Sequence, residues 1–362
     1  MDSVNGLLPE HIRASIEKDL LSVEVSTRCN SSCGHCFARA GRDTWQDMTL
    51  ETALEIAGEG RDLGYRNFHI TGGEPLMWTS LFDLVGQVLA MGYESVLVNT
   101  NGTLITADAA ERLAGFEGRV TLSISLQGPE DLHDRVRGGS FREAQAGLER
   151  ALAAGIGVCV FTVVGKSLLP ELPRFAEFIF TEYPSVTELA LIQLVRVHGD
   201  AIDLSAELLS PEDFLSLVRM TALLNLYGYR ISVLQNPLAT AASRAMGMPW
   251  VAPALPLHRG GGVIVMADGS ITLAHSTRDS FGAYGKGALG RVLGSDDYGK
   301  AVGPDDAACG GCRFMAVCRE HGMARPSEWF RSMGRPGQFC RDVMSLAAGA
   351  AGGGDMPLTI PT

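Results

Sequence analysis

The sequence predicts an α/β protein, a partial (β/α)6 TIM-like barrel followed by a small α+β cysteine-rich domain. Three observations carry this expectation. Apolar runs of strand length alternate with amphipathic helical patterns from residue 21 to about residue 200. Motifs rich in Gly, Cys and polar residues recur where those strands end. Seven of the eight cysteines fall into two groups, one near the start and one beyond residue 300. Regular alternation argues for a parallel sheet with outer helices, and six rounds are too few for a closed eight-stranded barrel.

Taken in order, residues 1–20 form a lead-in, with Leu7, Leu8, Ile12 and Ile16 spaced for one helical face. Leu21 to Ser26 alternates as a strand does, and a helix opened by Thr49 runs to Leu63. Strands follow at Phe68–Thr71, Ser95–Asn99, Arg119–Leu126, Val158–Val164 and Glu188–Val195. Helices lie between them at Thr79–Met91, Ala107–Gly115, Ser140–Ala154 and Glu171–Glu182. Residues 201–262 read as bridging helices and linker, with a helix from Pro211 to Tyr227 and then four scattered prolines. Residues 263–346 form the cysteine-rich domain, which opens with a β-hairpin turned at Asp268-Gly269. Residues 347–362 read as a flexible tail rich in Gly and Ala.

A net charge of −11 argues against a protein that clamps long nucleic acids, because such binding rests on Lys and Arg. No segment reaches the length of a membrane span, and residues 1–20 lack the apolar core of a targeting peptide, so a cytoplasmic protein is expected. Dense cysteines in such a chain read as metal ligands. Cys159, inside an apolar strand, reads as a buried core thiol.

Cys29, Cys33 and Cys36 lie just beyond the first strand. Three thiolates on one loop suit a 4Fe-4S cluster with one iron left open to a ligand. A structural zinc site would bring a fourth ligand, and His35 is poorly placed beside Cys36. Gly72-Gly73-Glu74-Pro75 follows the second strand, where two glycines let backbone approach a ligand and the carboxylate can accept from an ammonium group. Thr100-Asn101-Gly102 ends the third strand, and Ser125-Leu126-Gln127-Gly128-Pro129 ends the fourth and leads on to His133, Asp134 and Arg137.

The cysteine spacing, with aromatic Phe37 after it, resembles the signature loop of the radical S-adenosylmethionine (SAM) enzymes. Gly72 to Pro75 is similar to that family's G-G-E-P loop, and Ser125 to Arg137 is similar to its S-[aliphatic]-D-G-P-x3-H-D-x2-R pattern. Gln127 departs from that pattern by standing where the family usually has Asp. The resemblance implies a cluster held by Cys29, Cys33 and Cys36. It implies SAM contacts at Phe37, Gly72, Gly73, Glu74, Thr100 and Ser125, and Arg137 paired with the SAM carboxylate. His198, after the sixth strand, reads as structural.

Cys309, Cys312, Cys318 and Cys340 suit either a four-cysteine zinc site or a fully ligated second 4Fe-4S cluster. With the hairpin they resemble the SPASM and twitch extensions of radical SAM enzymes. Ala274 and Gly322 stand where two further cluster cysteines are expected, so one auxiliary cluster is implied instead of two. His275 beside that position reads as an ordinary hairpin-end residue.

The expected activity is reductive cleavage of SAM to a 5'-deoxyadenosyl radical that abstracts hydrogen from substrate. The expected outcome is a cross-link, dehydrogenation or decarboxylation in peptide maturation. Flavodoxin or ferredoxin would serve as reductant, and a separate protein could supply peptide recognition. The same chemistry on a sugar, nucleoside or tetrapyrrole is the alternative. A non-catalytic iron-sulfur electron-transfer or binding protein is the alternative of another class.

Overall fold

The computed structural model describes residues 20–36, 45–195, 203–234, 236–251, 262–273, 280–302 and 338–350. The expected rounds of strand and helix are present as β1 (Leu20–Glu24), α1 (Leu50–Asp62), β2 (Asn67–Thr71), α2 (Leu81–Ala90), β3 (Ser95–Thr100), α3 (Ala107–Ala114) and β4 (Val120–Ser125). They continue as α4 (Glu130–Arg137), α5 (Phe141–Ala153), β5 (Gly157–Val164), α6 (Leu172–Glu182) and β6 (Glu188–Gln193). Side chains fix several starts. Thr49 accepts from Thr52 N at 3.1 Å, and Thr106 accepts from Ala109 N at 3.1 Å, each taking up one of the N–H groups that a helix leaves open.

All the strands up to β6 are parallel neighbours in chain order, as the α/β partial-barrel reading requires. Two additions come from stretches read otherwise in the sequence. After α7 (Pro211–Leu226), Ile231–Val233 forms β7 parallel to β6, so the bridging region contributes a seventh strand. The hairpin expected to open the cysteine-rich domain, β8 (Ile264–Val265) and β9 (Ile271–Thr272), instead joins the barrel sheet through parallel pairing of β8 with β1. The sheet order is β7-β6-β5-β4-β3-β2-β1-β8-β9.

The edge of β7 is closed by a carboxamide. Asn225 Nδ2 donates to Ile231 O and Asn225 Oδ1 accepts from Ile231 N, both at 2.8 Å, as a neighbouring strand would.

Alternation along the strands separates two faces. Leu21, Val23, Phe68, Ile70, Val96 and Val98 point one way and are buried in the apolar core with the helices. Ser22, Glu24, His69, Thr71, Asn99 and Ser123 point the other way and form a polar inner face. Register pairs Ser123 with Cys159 and Cys159 with Glu188, which puts Cys159 on this inner face, partly exposed, and not in the apolar core. A parallel strand covered on both sides reads as a continuous apolar run, so its parity is hidden in the sequence.

Beyond β7 come α8 (Pro237–Ala245), α9 (Ala288–Leu293), α10 (Asp296–Val302) and α11 (Gln338–Ala350). Helix α11 packs on α7 and α8, with Phe339 edge-on to Phe214 at 5.7 Å. Ala347 is fully buried within α11, so the boundary drawn before residue 347 falls inside a helix. The lead-in, Phe37, His198, Ala274, His275, Cys309, Cys312, Cys318, Gly322 and residues 351–362 lie outside the described residues.

Candidate functional site

The loops leaving the carboxyl ends of β1, β2, β3 and β4 converge, and main-chain bonds bind the first two together. Gly73 N donates to Ser26 O at 2.8 Å and Glu74 N to Arg28 O at 2.7 Å. A Cβ on Gly72 would lie 2.5 Å from Ser26 O, so the close approach of the two loops itself requires glycine there. On the other side, Thr27 N donates to Gln46 O and Met48 N to Val25 O, both at 2.9 Å, which clamps the base of the cysteine loop.

Glu74 is fully buried and ties the second loop to the third. Its Oε1 accepts from Thr100 Oγ1 at 2.7 Å and from Leu76 N at 3.1 Å, while Oε2 accepts from Asn101 N at 2.7 Å. Burial pushes its carboxyl up to about 6, against the pull of these three donors. Thr100, read as a SAM contact, is spent on Glu74 and on accepting from Gly102 N at 3.0 Å. Helix α5 seats Gly147 so closely on this loop that a Cβ there would overlap the Gly102 carbonyl oxygen.

Asn101, noted in the sequence only as part of the strand-end Thr100-Asn101-Gly102 and given no role there, is the hub of the site. Its Nδ2 donates to Asn30 Oδ1 at 2.8 Å and Ser31 Oγ at 3.3 Å, and it lies 3.9 Å from Cys29 Sγ. Its Oδ1 accepts from Thr103 N at 2.9 Å and Thr103 Oγ1 at 2.8 Å. The only signal available in the sequence was its place directly after a strand.

From the last turn of α4, the helix that follows β4, Arg137 reaches the cysteine loop. Its Nη1 donates to Cys33 Sγ at 3.8 Å, its Nε is buried without a partner, and Gly34 N donates to Val136 O at 3.1 Å. Ser125 ends β4 on the inner face, opposite Phe161. Gln127 turns away from the site. Its Oε1 accepts from Val163 N at 3.2 Å and its Nε2 donates to Val163 O, so the side chain that departs from the family pattern lengthens the β4–β5 ladder.

Burial pushes the Cys29 thiol up to about 11, with the Ser31 N–H opposing and the charges of Glu74, Cys33 and Cys36 adding to the rise. Loading a metal there must therefore displace a firmly held proton. His35 is pushed down to about 3 by burial, then by Arg137 and His133. Among the described residues no three Cys, His, Asp or Glu side chains close on one metal-ion position. An iron-sulfur cube, by contrast, binds each thiolate to a separate iron. The donor set fits such a group, since N–H donors from Asn101 and Arg137 face two of its thiols. The unspent Arg137 Nε suits a carboxylate. Below the loops, Ser22 Oγ lies 2.9 Å from His69 Nδ1 on the inner face. Burial pushes His69 down to about 4, with Asn99 opposing. Of the second cysteine set the structure describes Cys340, in the first turn of α11.

A mostly parallel sheet thus gathers a three-cysteine loop, a G-G-E-P loop and a buried arginine at its carboxyl edge. Residues 23–179 match the Radical SAM superfamily model. It is 30% identical over 201 residues to the AdoMet-dependent heme synthase of Oleidesulfovibrio alaskensis, a match covering 54% of this chain and 50% of that protein. It is 32% identical over 140 residues to the GTP 3',8-cyclase of Peptoclostridium acidaminophilum, covering 38% and 43%. It is 31% identical over 159 residues to the mycofactocin maturase MftC of Mycobacterium tuberculosis, covering 43% and 40%. The chain thus spans half or less of these relatives' lengths. Its fold is similar to that of anSMEcpe with bound AdoMet and Cp18Cys peptide, at TM-score 0.65 and 16% identity over 92% of this chain and 98% of that one. It is also similar to Streptococcus suis SuiB bound to S-adenosylmethionine, at TM-score 0.64 and 16% identity over 83% and 71%. Among the described residues no helix is long and apolar enough to cross a membrane.

Proposed function

We propose that the protein is a radical SAM enzyme that cleaves SAM reductively and abstracts hydrogen from a substrate held against the inner face of the sheet. The observation that carries this reading is the convergence of Cys29, Cys33 and Arg137 with the Glu74–Asn101 knot at one sheet edge. When bound, the 4Fe-4S cluster supplies the electron that breaks the carbon-sulfur bond of SAM. Cys29, Cys33 and Cys36 hold it, Asn101 and Arg137 donate N–H groups toward its sulfur ligands, and Arg137 pairs with the SAM carboxylate. Glu74 keeps spare acceptor capacity on Oε2 for the SAM amino group, beside the Gly72-Gly73 backbone.

Cys340, with Cys309, Cys312 and Cys318, would hold one auxiliary cluster in a SPASM/twitch-like extension, which would supply an acceptor for an electron from the substrate. The favoured outcome is oxidative peptide maturation in a reducing cytoplasm, with flavodoxin or ferredoxin as electron donor. A maturase among the relatives and a peptide-bound structural neighbour support a peptide substrate. Similarity to a heme synthase keeps a tetrapyrrole side chain as the second reading.

Iron and sulfide per chain, measured after anaerobic reconstitution, test the proposal. Changing Cys29, Cys33 and Cys36 together to Ala is expected to lower iron from about eight to about four atoms and to abolish 5'-deoxyadenosine formation. Iron unchanged by the triple substitution sinks the assignment. A fall from about four irons to none, with zinc retained, removes the auxiliary cluster.

A further inference from the structure

We infer that His133 is a positioning residue for Arg137, acting through a hydrogen-bond relay that begins at the end of β4. The inference rests on the reading of Arg137 as the SAM-carboxylate partner. Every bond in the relay has a determined direction. The backbone N–H of Gln127 donates to His133 Nδ1 at 3.2 Å, and a backbone N–H can only donate. Nδ1 therefore carries no proton, and in the neutral ring the proton resides on Nε2. Nε2 lies 3.2 Å from Ser140 Oγ and donates to it, and the Ser140 hydroxyl donates in turn to the Arg137 carbonyl at 3.4 Å. That carbonyl is one of those a helix C-terminus leaves without an intrahelical partner.

The upstream end of the relay is fixed as firmly. Gln127 is held to β5 by both atoms of its carboxamide, so the Gln127 N–H is a rigid donor. An Asp at this position would lack the N–H that donates to the Val163 carbonyl. The departure from the family pattern is thus a change of task for that side chain. His133 is fully buried, edge-on to Phe141 at 5.4 Å, and burial followed by the nearby Arg137 pushes it down to about 4, so the ring stays neutral. Downstream, the ordered last turn of α4 presents the Arg137 guanidinium to Cys33 Sγ and leaves Nε free for a ligand.

SAM affinity, measured by equilibrium dialysis on the reconstituted full chain, tests this in a double-mutant cycle. Arg137→Ala is expected to weaken SAM binding by about 100-fold, as loss of a charge-assisted pair would. His133→Phe, which keeps the ring and its packing, is expected to weaken it by about 10-fold alone and to add nothing on the Arg137→Ala background. Ser140→Ala cuts the relay without touching the core, because the Ser140 side chain caps no helix N–H, and should reproduce most of the His133→Phe effect. Iron per chain and far-UV circular dichroism should match the wild type in His133→Phe and Ser140→Ala, and SAM affinity is expressed per loaded chain in every variant. Equal effects of His133→Phe with and without Arg137, or wild-type affinity in both His133→Phe and Ser140→Ala, overturn the relay. Wild-type affinity in Arg137→Ala overturns the SAM-site reading itself, and the relay with it.

Discussion

The two faces of the sheet are built from the same strands and obey opposite rules. On the outer face, Leu21, Val23, Phe68 and Ile70 are fully buried against helices, and their chemistry is uniform. On the inner face the residues between them, Ser22, Glu24, His69 and Thr71, are also nearly inaccessible but polar. Burying polar groups costs free energy unless each finds a partner, so a chain selected for stability alone would not alternate this way. The outer face specifies the fold, and on the proposed function the inner face gives up stability to keep groups that a ligand can use.

The largest expected effect comes from His69. Burial holds its folded pKa at about 4, below the 6.5 of an unfolded histidine. A base with a depressed folded pKa contributes stability that is fully present above 6.5 and is lost as pH falls toward 4. By linkage this amounts to about 3 kcal/mol across the window. His69→Gln should flatten that acid limb. Urea unfolding at pH 7 and pH 4.5 measures it, and parallel losses in wild type and variant would show that His69 is not buried in its neutral form.

Glu74 should act in the opposite direction and by less. Its folded pKa of about 6 lies above the 4.5 of an exposed carboxylate, so the native state binds the extra proton between those values. Stability from this group is therefore present below 4.5 and lost as pH rises through 6, by about 2 kcal/mol. Relative to wild type, Glu74→Gln should lose more stability as pH falls from 7 to 4.5. A pH-independent difference between the two proteins would mean that Glu74 titrates normally and that its three donors outweigh its burial.

The repeating pattern was legible in the sequence because strand and helix periods differ and because Thr49 and Thr106 announce their helices. The cysteine loop and the G-G-E-P loop were legible because spacing survives without coordinates. β7 was not, since three residues after a long helix carry no period of their own. The partners of Gln127 and Asn101 were equally hidden. Each is a carboxamide that bonds to residues at least 36 positions away, Val163 for Gln127 and Asn30 and Ser31 for Asn101, and one sequence records no such pairing. The consequence falls on function. Thr100 and Glu74, expected as ligand contacts, also tie the loops together, Thr100 holding Glu74 and Glu74 holding Asn101.

The smallest effect isolates the two faces within one strand. Ser22 and Val23 are adjacent on β1 and almost wholly buried, with side chains on opposite faces. Val23→Ala removes outer-face packing and should cost about 2 kcal/mol. Ser22→Ala removes a hydroxyl that meets His69 Nδ1, and its cost should be about 1 kcal/mol or less. The same change frees the His69 ring to reorient on the inner face. Its signature is therefore a shifted His69 ring nitrogen resonance with little change in the urea midpoint. If Ser22→Ala cost as much as Val23→Ala, the inner face would be sustaining the fold, and the polar groups there would be a second core instead of a place kept for substrate.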